Sequence, residues 1–216
     1  MGTASVSGTV MFDGTPPAMP RIRLDPECQD LHDGPVTART VVVGDDGGLA
    51  NVFVRVSAGL PDGYSYAPPS EAVVLDQAGC MYHPHVFGVQ AGQDINILNS
   101  DPFLHNINAQ PSANRGFNFG MPNQGDERSR SFRVEEVAVP IKCDVHPWMN
   151  AYAAVVDHPY HATTGEDGSF TIDGLPAGTY TIEAWHEQYG TATQSVTVED
   201  GGSASAAFTF SSDSAS

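Results

Sequence analysis

Four side chains carry donor atoms that could meet on one ion: His105, Cys143, His146 and Met149. From Val137 the residues Val137, Val139, Ile141 and Cys143 alternate with Ala138, Pro140 and Lys142, so a strand here points the thiol inward. His146 and Met149 follow at steps of three within Cys143-Asp144-Val145-His146-Pro147-Trp148-Met149. A loop that short can turn a thiolate, an imidazole and a thioether toward one point. His105 offers a second imidazole upstream, at the start of a strand expected at His105–Ala109. Thiolate and thioether are soft donors and imidazole is borderline, a set that selects copper. Zinc would use the thiolate and both imidazoles, but it takes thioether poorly and its structural sites favour more thiolates.

Taken singly, each residue has a plainer explanation. A cysteine at a strand end is usually a small buried hydrophobe, a loop histidine is solvated, and a methionine packs the core. The joint spacing is what carries information. Cys-x-x-His-x-x-Met with proline after the histidine resembles the short ligand loop of amicyanin, among the plastocyanin-like cupredoxins, over about residues 71–157. The resemblance implies a two-sheet Greek-key sandwich holding one type 1 (blue) copper ion on His105, Cys143, His146 and Met149. It also implies that Asn106 ties the two ligand loops together and that Pro147 borders the site. The function it implies is single-electron exchange with redox proteins. If His146 reaches the surface, its ring edge is the exit, rimmed by Pro147 and Trp148. Copper oxidases and nitrite reductases place a histidine beside the ligand cysteine, whereas Lys142 and Asp144 flank Cys143, so no enzyme is expected. The competing readings are a structural or adhesion protein with a zinc or vacant site, and a copper storage or delivery protein.

Three cysteines suit one ligand and one disulfide, and Cys28 with Cys80 is the pairing that leaves Cys143 for metal. A disulfide would imply an exported location, periplasmic or extracellular, with any anchor outside this chain. The rival is a second metal site in Cys80-Met81-Tyr82-His83-Pro84-His85, drawing on Cys80, His83 and His85. His186 shares a strand face with Tyr180, Ile182 and Ala184 and is expected buried and hydrogen-bonded. His32, His158 and His161 lie in loop-like sequence. No phosphate-cradling glycine loop, nucleophile elbow or H-E-x-x-H motif occurs.

The elements that must position these residues are strands. Twenty-two glycines, sixteen prolines and short β-branched or aromatic runs, with no long helical period, give an all-β chain. Strands are expected at Ser5–Phe12, at Thr40–Val43 paired with Asn51–Val56, and at Ala72–Leu75, Val86–Val89, Ile95–Asn99, His105–Ala109, Ser131–Val134, Val137–Cys143 and Ala151–Val156. Smaller strands follow at Phe170–Ile172, Thr179–Trp185, Ser195–Val198 and Ala206–Phe210. The stretch Gly165–Tyr180 and the opening Ser7-Gly8-Thr9-Val10 resemble the carboxypeptidase-regulatory-like, transthyretin-like module, a smaller β-sandwich that usually scaffolds. The expected layout is that module split into 1–66 and 159–211 around a copper domain at 67–158, with 212–216 a disordered tail. Met1-Gly2 reads as a start left by removal of a signal or anchor.

Twenty-six acidic residues face nine basic ones, Lys142 being the one lysine, for a net charge of −17. That surface repels nucleic acid and anionic lipid, and favours a redox partner with a basic docking surface, such as a cytochrome. It equally suits a high-salt habitat. No run approaches the roughly 20 apolar residues a membrane span needs.

Overall fold

The computed structural model describes residues 2–214. In chain order the elements begin with β1 (Ala4–Asp13), the one-turn helix α1 (Pro26–Gln29) and β2 (Phe53–Ala58). The middle holds β3 (Val73–Ala78), β4 (Met81–His83), β5 (Val86–Gln90), β6 (Ile95–Asn99) and β7 (His105–Ala109). It continues with β8 (Phe117–Met121), β9 (Glu127–Arg130), β10 (Glu136–Lys142) and β11 (Asn150–Val156). The last strands are β12 (His161–Thr163), β13 (Ser169–Leu175), β14 (Gly178–His186), β15 (Gly190–Val198) and β16 (Ser203–Ser211). The protein is thus nearly all-β, and among the described residues no helix is long and apolar enough to cross a membrane.

Two compact units divide the chain. One comprises Met1–Ala18, Arg39–Ser65 and Tyr160–Ser216; the other comprises Met19–Ala38 and Tyr66–Pro159. In the first, β13-β1-β16 form one sheet and β12-β2-β14-β15 another. β1 lies antiparallel to β13 and parallel to β16, so the opening strand is held by two of the last. Gly8 makes this possible: a Cβ there would stand 1.6 Å from the Ala206 carbonyl oxygen, so no larger residue fits between the strands. His186 is buried at the end of β14, accepts the Gln188 N–H at Nδ1 (3.1 Å) and stacks on Tyr189, as its strand face implied.

In the second unit a five-stranded sheet, β5-β11-β10-β7-β8, and a four-stranded sheet, β4-β3-β6-β9, enclose the core. Leu75, Ile95 and Ile97 from the smaller sheet share one buried cluster with Val89, Ile107, Ile141 and Val155 from the larger. Each such side chain contributes about 2 kcal/mol by leaving water. β10 carries a bulge at Ala138 (φ 66°), between the pairs Glu136↔Val155 and Val139↔Ala153. The extra residue leaves Val137 half-buried, and strict alternation starts at Val139, which still brings Cys143 inside.

Several expectations shift. Residues 19–38, expected with the first 66, belong to the second unit, because Cys28 and Leu24 pack into its core. Thr40–Val43 forms no strand; the Gly44–Gly48 turn folds back on β1 through a Met11↔Gly48 bridge, leaving only a Val43↔Leu49 bridge. Ser131–Val134 is not a strand either: the strand lies just before it, at β9, while Phe132 enters the core. β8 was missed. The tail expected at 212–216 begins with a 3-10 turn at Ser212–Ser214, and residues 215, 216 and Met1 lie outside the described residues.

Candidate metal centre

His105 opens β7, Cys143 follows the last residue of β10 and Met149 precedes β11, so three neighbouring strands of one sheet deliver the donors to one end. The 143–149 loop is closed by the Cys143 N–H donating to Met149 O (3.1 Å) and the Met149 N–H to His146 O (2.9 Å). The Cys143 sulfur and one nitrogen each of His105 and His146 lie within 4.8 Å of one another, all buried. His105 Nδ1 faces His146 Nδ1 at 2.9 Å, and Cys143 Sγ lies 3.8 Å from His146 Nδ1. Metal–ligand bonds of about 2.0–2.3 Å give donor separations of about 3–4 Å, so this triad fits a single ion. Met149 is fully buried in the same core cluster as Cys143.

Asp101, which sequence reasoning missed, sets the tautomer. Its Oδ2 accepts from His105 Nε2 at 2.7 Å, leaving the Nδ1 lone pair turned toward Cys143 and His146. The same carboxylate accepts the Gly79 and Cys80 N–H groups, both at 2.8 Å. Burial opposes ionisation of Asp101, yet the His105 hydrogen bond and these two amides outweigh it and hold its pKa below the ordinary value. Burial likewise disfavours protonated His105, but Asp101 and then Cys143 raise it. Cys143 is lowered despite burial, by His105 and by the N–H groups of His146, Val145 and Asn106, so the fold favours the thiolate a metal needs. His146 is lowered by burial and then by the neighbouring His105.

The surroundings are tied to the same atoms. Asn106 Oδ1 accepts the Asp144 N–H (3.2 Å) while its Nδ2 donates to Asn118 and Phe119, which joins β7, β8 and the cysteine loop. The Tyr82 hydroxyl donates to the Asn106 carbonyl, and burial, then Cys143, push its pKa up. Phe103 sets its ring edge-on to both His105 and His146. Pro147 is exposed and Trp148 half-buried, its indole N–H donating to Cys80 O (3.0 Å).

Two expectations are corrected here. His146 does not open to solvent: it is 5% exposed, and its Nε2 edge faces Asp25 Oδ2 at 3.7 Å. A second metal site on Cys80, His83 and His85 is excluded because Cys80 is disulfide-bonded to Cys28, the pairing considered from the cysteine count. The disulfide brings α1 beside the site, and the sulfurs near His146 and Asp101 are therefore not thiolates. Asp101 had a weak signal, a carboxylate four residues before a candidate ligand; Asp25, 121 residues from His146 in sequence, had none.

No curated protein matches the chain. Among solved structures, a copper-containing nitrite reductase from Thermus scotoductus SA-01 is 18% identical at a TM-score of 0.35, covering 47% of this chain; this chain spans 26% of that one. An oxidised point mutant of amicyanin is 16% identical (TM-score 0.36; 55% of this chain, 94% of that one). A purple cupredoxin from Nitrosopumilus maritimus is 24% identical (TM-score 0.32; 39% and 99%). The family of the carboxypeptidase regulatory-like domain matches residues 149–211, a stretch that starts at Met149 and takes in the whole of β12 to β16.

Proposed function

We propose that this chain holds one copper ion on His105, Cys143, His146 and Met149 and exchanges single electrons with redox partner proteins. The observation that carries the reading is the buried triad of one cysteine sulfur and two imidazole nitrogens within 4.8 Å, with Asp101 fixing the outer nitrogen of His105. Copper bound there supplies a one-electron couple. The chain's part is to hold the thiolate deprotonated, to orient both rings and to exclude water behind Phe103 and Trp148. A site braced on three strands rearranges little, which suits electron transfer more than turnover. Lys142 and Asp144 flank Cys143, so no neighbouring histidine links it to a second centre, and we read the protein as a carrier and not an enzyme. The Cys28–Cys80 disulfide supports an oxidising, exported setting, periplasmic or extracellular. The acidic surface supports a partner with a basic docking face.

The test is a copper titration followed by visible absorption, with metal analysis of the protein as isolated. One equivalent of Cu(II) should give an intense visible band that Cys143→Ser abolishes and Met149→Gln retains while moving the potential. A colourless copper-loaded protein with an intact Cys143 thiol overturns the reading; zinc in the isolated protein supports the structural alternative.

A further inference from the structure

The second unit has another constellation, separate from the metal donors. The edge strands of its two sheets, β8 and β9, border a cleft of about 620 Å³ lined by Arg115, Phe117, Phe119, Arg130, Arg133 and Asp94, among others. Phe117 pairs with Ala109, at the far end of β7 from His105, so that end of the cleft lies about 13 Å along the strand from His105, and Phe119, paired with Ile107, marks its nearer end. We propose that this cleft binds a small oligoanion through carboxylate or phosphate oxygens.

Charge is the first argument. The chain has 26 acidic and nine basic residues, yet three arginines and one aspartate line this cleft. Among the described residues none of the three arginines has a carboxylate within ion-pair distance. Three cations against one anion on a concave wall, with no ion pair among the arginines, leave their donors to an external anion.

Pre-organisation is the second. The Arg130 guanidinium lies over the Phe119 ring at 4.6 Å and over Phe117 at 5.9 Å, and Phe117 stacks on the buried Phe132. Its Nη1 donates to Ser129 O at 2.7 Å, which fixes the fork and leaves the other N–H groups for a ligand. The rim is also pinned. The Glu136 carboxylate accepts the N–H groups of Ser112, Ala113 and Asn114, while Asn114 Oδ1 accepts those of Arg133 (2.7 Å) and Val134 (3.0 Å). The backbones carrying Arg115 and Arg133 are thereby locked to one another. The volume suits a small ligand, within the range of about 300–1,000 Å³ common for such clefts.

Calorimetry and arginine side-chain NMR on the full chain in low-chloride buffer, with citrate and with pyrophosphate as probes, test this. Saturable one-to-one binding of at least one anion is expected, with a Kd near or below about 1 mM, and the stronger probe identifies carboxylate or phosphate chemistry. Arg115→Gln with Arg133→Gln should weaken it by about a hundredfold, whereas Arg21→Gln, outside the cleft, should leave it unchanged. Both replaced arginines are exposed, so the double variant should keep the unliganded melting curve. Arg130→Gln provides an independent variant. Absence of saturation by either anion, equal binding in the double variant, or binding of an acidic peptide alone would each overturn the proposal.

Discussion

At the scale of single residues the site turns on a carboxylate outside the proposed donor set. Asp101 holds His105 by Nε2 and two amides of the disulfide turn, so it sets both a ring and a loop. Asp101→Asn keeps the shape but loses the charge and offers an N–H where His105 needs an acceptor. Copper affinity should fall by about 10–100-fold, measured by competition with a chromophoric chelator. Metal-stripped protein gives a second readout. The Asp101 pKa is lowered in the fold, so its contribution to stability is present above the ordinary carboxylate range and lost as pH falls through the depressed value. The His105 pKa is raised, so its contribution is complete below the ordinary histidine value and lost as pH rises through the elevated one. Thermal melts should therefore show both limbs, and Asp101→Asn should flatten both. A variant with unchanged affinity and unchanged limbs would leave Asp101 a bystander. The donors themselves were legible because three of them share one seven-residue loop. Asp101 was not, because its contact depends on how the chain reverses between Asn99 and His105, and no periodicity encodes that.

At the scale of elements, the segment 19–38 has a role its sequence did not announce. Ile22 N–H to Val36 O (2.8 Å) and Ala38 N–H to Pro20 O (3.0 Å) close its base, His32 reaches the Gly79 carbonyl at 2.8 Å, and Cys28 in α1 bonds Cys80. It sets Asp25 against the Nε2 edge of His146, so the condition for an electron exit at that ring edge, a surface position, is not met. Cys28→Ser with Cys80→Ser should cost about 2–4 kcal/mol, a range suited to a crosslink spanning 52 residues. Denaturant unfolding reads that loss, and hydrogen exchange should quicken at 20–38 and at His146 before it does in β10 or β11. Exchange that rises uniformly would mean the crosslink braces the whole unit and does not act locally on the cover. The same contrast explains which strands could be read in advance. β7 and most of β10 pair within a sheet and show alternating burial, so period two survives in their composition, while β11, buried on both faces from Ala153 to Val156, shows as a continuous apolar run. Phe117-Asn118-Phe119-Gly120-Met121 also alternates, but its two phenylalanines are only half-buried beside Arg130, and polar residues and glycine mask it. Thr40–Val43 fails for the opposite reason: three valines favour a strand, but the turn that follows gives them no partner strand.

At the scale of the whole molecule, charge is the property that composition reports and the fold distributes. The first unit holds two arginines against twelve acidic residues, a net −10; the second holds seven basic against fourteen acidic, a net −7, with five of its basic residues between 115 and 142. Such a molecule repels itself over separations up to about a Debye length, which is about 10 Å at 0.1 M salt and about 3 Å at 1 M. Screening should then stabilise it: the melting temperature should climb as KCl rises from about 10 mM to 1 M, and the gain should be shared by both units because both carry excess negative charge. Steering predicts the reverse sign for a different quantity. The second-order rate of electron exchange with a basic cytochrome should fall over the same range, by about tenfold or more, as the attraction that aligns the partners is screened. The two curves separate the causes that the charge count alone leaves together. A melting temperature that climbs while the rate stays flat assigns the acidity to self-solvation in salt. A rate that drops while the melting temperature stays level assigns it to the partner, because only an oriented encounter loses speed when fields shrink to a contact distance.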